Sequence, residues 1–126
     1  MSRIRDKDTG PEMIVRRTAH RLGLRFRLYD KRLPGRPDLS FPKWRTAIFV
    51  NGCFWHHHAG CRRGTTPKSN TDFWADKLRA NVARDNANYA RLTDMGWRPL
   101  VLWECECRSA PFAENKLRDW FSNQSN

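Results

Sequence analysis

Residues 38–61, DLSFPKWRTAIFVNGCFWHHHAGC, carry the reading that decides the fold. Asp38 opens a short strand in which Leu39 and Phe41 share a face, and the polar PKWR stretch turns the chain into TAIFV, residues 46–50. That apolar run predicts a central strand covered on both faces, with its last residues at the rim of a buried sheet. The Gly-, Pro- and His-rich stretch that follows, NGCFWHHHAGCRRGTTPKSN, is a loop of roughly 20 residues, longer than a compact domain tolerates without a function or a metal to hold it.

Upstream, TGPEMIVRRTAHRL predicts a first helix, with Thr9 as N-cap, Pro11 in the first turn, Val15, Ala19 and Leu22 at helical spacing, and Gly23 as its stop. Leu24, Phe26 and Leu28 alternate with Arg25 and Arg27, the period-two pattern of a strand with one wet face, and LPGRP turns the chain towards Asp38. Downstream, a helix is expected from about Thr71 to Met95, with Trp74, Leu78, Val82, Asp85, Tyr89 and Leu92 along one stripe and Gly96 at its end. A strand over Pro99–Trp103 and an amphipathic helix over about 111–121, with Leu117, Trp120 and Phe121 inward, complete the order α-β-β-β-α-β-α. No repeat, low-complexity tract or linker divides the chain, so residues 1–126 are expected to form a single α/β domain with loose ends.

Charge points to the partner. Twenty-four Lys and Arg against 13 Asp and Glu give a net +11, a polyanion-binding balance, and the Arg residues are scattered rather than gathered on the amphipathic helix a membrane-surface protein would show. Six Trp and seven Phe add flat area suited to bases. The opening MSRIRDKDTGPE has no apolar core and no run reaches the length of a membrane span, so no membrane association and a reducing cytoplasm are expected, with cysteines as thiols or metal ligands.

Cys53, His58 and Cys61 lie close together, and Cys105 follows a strand that could neighbour theirs in the sheet. Such a Cys3His set suits a closed tetrahedral zinc site pinning the loop to the last strand; the competing reading is buried core thiols, and Cys107 is an alternative to Cys105. Side chains of His56, His57 and His58 point in different directions, so one of them, His56, is open to general acid–base work or to simple solvation. Asp38, at a strand start in a basic chain, fits a Mg²⁺ ligand, and equally a turn-capping Asp. Glu12 completes a Thr9-x-x-Glu12 capping box. Asp85 interrupts the mostly apolar stripe of its helix and requires a partner, for which a loop histidine would serve.

Taken together, DTGPE, LPGRPDL, AIFVNGCFWHHHAGC, TTPKSNTDFW, NVARD and GWRPLVLWECE closely resemble the very-short-patch repair (Vsr) endonucleases, from about residue 4 to 105. The resemblance implies a restriction-endonuclease-like α/β core, a mixed central sheet flanked by helices, catalytic Mg²⁺ and structural Zn²⁺. It implies Asp38 and the Val50 carbonyl as Mg²⁺ ligands, Glu12 as the N-terminal helical Glu, His56 as the water-activating base and Asp85 as its orienting carboxylate. Cys53, His58, Cys61 and Cys105 match the zinc set, and Phe54, Trp55 and Trp74 match an aromatic wedge inserted beside the mismatch. Asn51 stands where members commonly carry a histidine, and unlike histidine it cannot take a proton near pH 7.

The expectation is a monomeric, bacterial, cytoplasmic enzyme, nucleoid-associated when bound to DNA, that nicks duplex DNA 5′ of the T in a T:G mismatch. Two rivals remain: a noncatalytic zinc module that binds distorted DNA, and a restriction-like nuclease of the same fold. Whichever holds, the charge predicts an affinity for duplex DNA that drops by orders of magnitude between about 50 and 200 mM salt, measurable by fluorescence anisotropy.

Overall fold

The computed structural model describes residues 10–52, 71–107 and 110–122. Its elements are α1 (Gly10–Arg21), β1 (Arg27–Leu28), β2 (Leu39–Phe41), a 3-10 turn (Pro42–Trp44), β3 (Thr46–Asn51), α2 (Thr71–Asp94), β4 (Arg98–Trp103) and α3 (Ala110–Ser122), in the order expected from the sequence. The sheet runs β1-β2-β3-β4. The first two pairings are antiparallel and the last is parallel, in register from Thr46↔Arg98 to Asn51↔Trp103. A parallel pair needs a long crossover, and α2 lies within it.

β3 is the interior strand, and five of its six residues are buried. Alternation along it feeds two cores. Ile48 joins Val15, Ala19, Leu39, Phe41, Leu100, Leu102, Leu117 and Phe121 between the sheet and helices α1 and α3. Ala47 and Phe49 face the other way, meeting Leu33, Leu92, Tyr89 and Trp97 beside α2. Helices on both faces explain why this strand reads as an unbroken apolar run. The Trp120 indole N–H donates to Thr46 Oγ1 at 3.1 Å, fixing α3 at the start of β3.

Helix ends follow their glycines. Gly23 and Gly96 sit at φ 77° and 84°, and the amides of Leu24 and Trp97 reach back to the carbonyls of Ala19 and Leu92, closing left-handed caps. The first strand is shorter than the alternation suggests: only Arg27 and Leu28 pair with β2. Leu24 and Phe26 pack onto the core, but Leu28 is 42% exposed, so the expected period-two burial ends at Phe26, and the ladder is limited by a β2 of three residues.

The LPGRP turn delivers Asp38 to the sheet. Gly35 has φ 77°, and a Cβ there would meet Phe49 Cε2 and Asn88 Cβ at 3.1 Å. Both the conformation and the close approach call for glycine. Gly35→Ala is therefore expected to destabilise the fold by about 1–3 kcal/mol in a chemical-denaturation measurement, from left-handed strain plus crowding.

Candidate active site

β3 brings the site together by ending at the sheet rim. Asp38, the residue before β2, turns a carboxylate towards that end, where its Oδ2 accepts the Val50 backbone N–H at 2.7 Å. Burial pushes the Asp38 carboxyl up to about 7; the Val50 bond opposes this, the nearby charge of Glu12 adds to it and Arg16 offsets it. The Glu12 charge lies near enough to raise the proton affinity of Asp38, and acids placed so in a basic chain suit a hard cation. The residues present fit Mg²⁺ on those grounds.

Glu12 lies on α1 with only 2% of its surface exposed. Its Oε2 accepts Arg16 Nη2 at 2.5 Å, one helical turn on, and also the Tyr29 hydroxyl. Arg16 Nη2 donates to that hydroxyl as well, at 2.6 Å, and the guanidinium carbon lies 5.5 Å from the ring centroid. Thr9, the other half of the expected capping box, lies outside the described residues. In the sequence, Arg16 is marked only by its spacing of four from Glu12 on a helix, and no local pattern marks Tyr29.

Asn51 closes β3 almost fully buried. Its Nδ2 donates to the Tyr89 hydroxyl at 2.9 Å, and its carbonyl accepts the Glu104 N–H at 2.9 Å. Its side chain thus ties β3 to α2. Burial pushes the Tyr89 hydroxyl up to about 12, against the Asn51 hydrogen bond, while the charges of Asp85 and Asp38 push it further up. Asp85, half-buried, precedes Tyr89 by one turn on the same face of α2. Tyr89 also stacks edge-on against Phe49 with centroids 5.1 Å apart.

Trp74, at the start of α2, is half-buried and packs against Phe73 at 5.2 Å between centroids. Phe73 is 59% exposed, and the Lys77 ammonium lies 5.9 Å from its ring centre. Neither neighbour was singled out from sequence, because a lone aromatic off the buried stripe carries no pattern. Cys107 is fully buried in the core beside α1 and α3, whereas Cys105 is part-exposed in the turn after β4. Cys53, Phe54, Trp55, His56, His58 and Cys61 lie outside the described residues. No group of three or more His, Cys, Asp or Glu suited to a metal occurs among the described residues, and no helix among them is long and apolar enough to cross a membrane.

A part-buried acid at the end of the interior strand of a mixed sheet, in a chain of net charge +11, is compatible with an α/β nuclease. Residues 1–63 match the family described as DNA mismatch endonuclease Vsr. The chain is 49% identical over 119 residues to the type II nicking enzyme V.XorIIP of Xanthomonas oryzae pv. oryzae, covering 94% of this chain and 87% of that protein. It is 41% identical over 117 residues to the type II nicking enzyme V.NmeAIP of Neisseria meningitidis, with 93% and 83% covered. To the DNA mismatch endonuclease Vsr of Escherichia coli K12 it is 43% identical over 108 residues, with 86% and 69% covered. The chain belongs to the Vsr DNA mismatch endonuclease family, and its class is that of a DNA endonuclease.

The Asp38 carboxyl gives a direct stability test. Its folded-state value of about 7 stands above the ordinary carboxylate value of 3.8. Between those values the folded chain holds a proton that the unfolded chain has released, so stability falls as pH rises from about 4 to 7 and then levels. The loss is at most about 4 kcal/mol. Denaturation of metal-free protein at stepped pH should show this slope, and Asp38→Asn should flatten it.

Proposed function

We propose that this chain is a Mg²⁺-dependent, zinc-stabilised mismatch endonuclease that cuts one strand of duplex DNA 5′ of the thymine in a T:G pair, opening repair of deaminated 5-methylcytosine. The observation that carries the reading is the placement of Asp38 beside both Glu12 and the end of β3. Asp38 and the Val50 carbonyl would hold the ion, with Glu12 close by. When bound, a divalent cation there supplies charge neutralisation at the scissile phosphate and at the leaving oxygen.

In this reading His56 takes a proton from the attacking water and Asp85 orients the imidazole, leaving a 3′-hydroxyl and a 5′-phosphate. Asn51 contributes by position rather than by proton transfer, since its amide is occupied with Tyr89. Phe54, Trp55 and Trp74 form the wedge. Unstacking is least costly where a wobble pair already weakens the duplex, which gives selectivity for the mismatch. The exposed Phe73 ring and Lys77 beside Trp74 support an aromatic, cationic contact at that end of α2.

Cys53, His58, Cys61 and Cys105 would hold the zinc. Burial of Cys107 in the apolar core supports Cys105 as the fourth ligand. A monomeric single domain acting in the cytoplasm at the nucleoid belongs to the same proposal. The type II nicking enzymes among the relatives give weight to a second reading, a nicking activity that does not depend on the mismatch.

Labelled T:G and T:A duplexes, each incubated with Mg²⁺ or with chelator, decide between these readings. A single nick 5′ of the thymine, on T:G only and only with Mg²⁺, is the expected result. Cutting of both duplexes supports the second reading, and no cutting of either rejects a nuclease. Asp38→Ala should abolish the nick while leaving duplex binding intact or tighter, because a cation ligand and a negative charge are lost together. Elemental analysis should find one zinc per chain, lost in Cys105→Ser and kept in Cys107→Ser.

A further inference from the structure

Tyr29 touches both acidic residues of the site in different ways. Its backbone N–H donates to the Asp38 carbonyl at 3.3 Å, and its hydroxyl donates to Glu12 Oε2. Its φ of 49° lies in the left-handed region, which a bulky side chain rarely adopts. Such an outlier persists where surrounding contacts over-determine it, and here those contacts include the two to the acids and those of Arg16 to the hydroxyl and ring.

Arg16 completes the arrangement. Its side chain is 14% exposed and that of Glu12 3%, so the pair is desolvated and its hydrogen bonds are strong. An i,i+4 ion pair alone would satisfy the helix. The additional hydroxyl arrives from the segment whose main chain bonds Asp38, so the direction of the Glu12 carboxylate is tied to the residue that carries the other acid.

We propose that Arg16 and Tyr29 are positioning residues that clamp the Glu12 carboxylate beside Asp38, and that this clamp sets how tightly the Asp38 site holds a divalent cation. The inference rests on the reading of Asp38 as a cation ligand. Glu12 supplies the second negative charge of the site, and a carboxylate free to swing would supply it less effectively at the same place. Removing the tyrosine hydroxyl leaves every formal charge in place, so any change in cation affinity reports orientation.

The test is Mn²⁺ binding to the full chain without DNA, read from the paramagnetic resonance signal of the unbound ion, with a thermal melt to confirm folding. Tyr29→Phe is expected to weaken binding roughly tenfold or more, the lower end of the effect of one charge-assisted hydrogen bond. Glu12→Gln should weaken it further, and the double variant should bind no more weakly than Glu12→Gln alone, because the tyrosine acts through that carboxylate. Wild-type affinity in Tyr29→Phe, or losses that multiply in the double variant, would overturn the clamp.

Asp38→Asn separates the two layers. If it loses the ion while Tyr29→Phe does not, only the clamp fails; if it binds like wild type, the reading of the site itself fails and the clamp with it. Should Tyr29→Phe not fold, Arg16→Lys keeps the charge and loses the forked geometry. Weakened Mn²⁺ binding in that variant then supports the clamp, and unchanged binding overturns it.

Discussion

One hydrogen bond organises the site: the Val50 amide donating to Asp38. It ties the residue entering β2 to the last turnings of β3, and so sets a carboxylate at the rim of a sheet whose interior is otherwise apolar. The position is electrostatically costly. Burial and the charge of Glu12 both oppose ionisation of Asp38, and the opposing help from Val50 and Arg16 does not restore an ordinary carboxylate. In the proposed function a bound cation would offset that cost and let a basic DNA endonuclease bring the acid close to a phosphate.

The rest of the fold serves to place that group. Both cores press on β3 from opposite faces, and the parallel partner β4 extends beside it to the same end. α1 contributes Glu12 and Arg16 from one face, while α2 contributes Asp85 and Tyr89 from the other. Asn51 joins the second group to the strand by its bond to Tyr89. A residue in that position that could titrate would couple β3 to α2 in a pH-dependent way. The asparagine amide makes the link constant.

Much of the fold was legible before any coordinates. Apolar TAIFV became the interior strand because a strand covered on both faces has no wet side to show in its pattern. The glycines after α1 and α2 marked the helix ends through the left-handed caps they allow. The alternation over residues 24–28 holds for the burial of Leu24 and Phe26 but not of Leu28, and it overstates the ladder, since hydrogen-bonded length depends on the partner strand and β2 offers only three residues. Asp38, Glu12 and Asp85 stand out as candidates from their place in the pattern, and Asn51 from the family resemblance.

Sequence by itself determined the secondary-structure order, the apolar central strand, the basic character and the acidic positions, because these follow from local periodicity, turn chemistry and composition. Tertiary structure alone decided that Tyr29 holds Glu12, that Asn51 spends its amide on Tyr89, and that Cys107 is core while Cys105 is part-exposed. The physical reason is range. Helix and strand signals act over a few residues, whereas these contacts join groups 17 and 38 positions apart that meet only when the sheet closes.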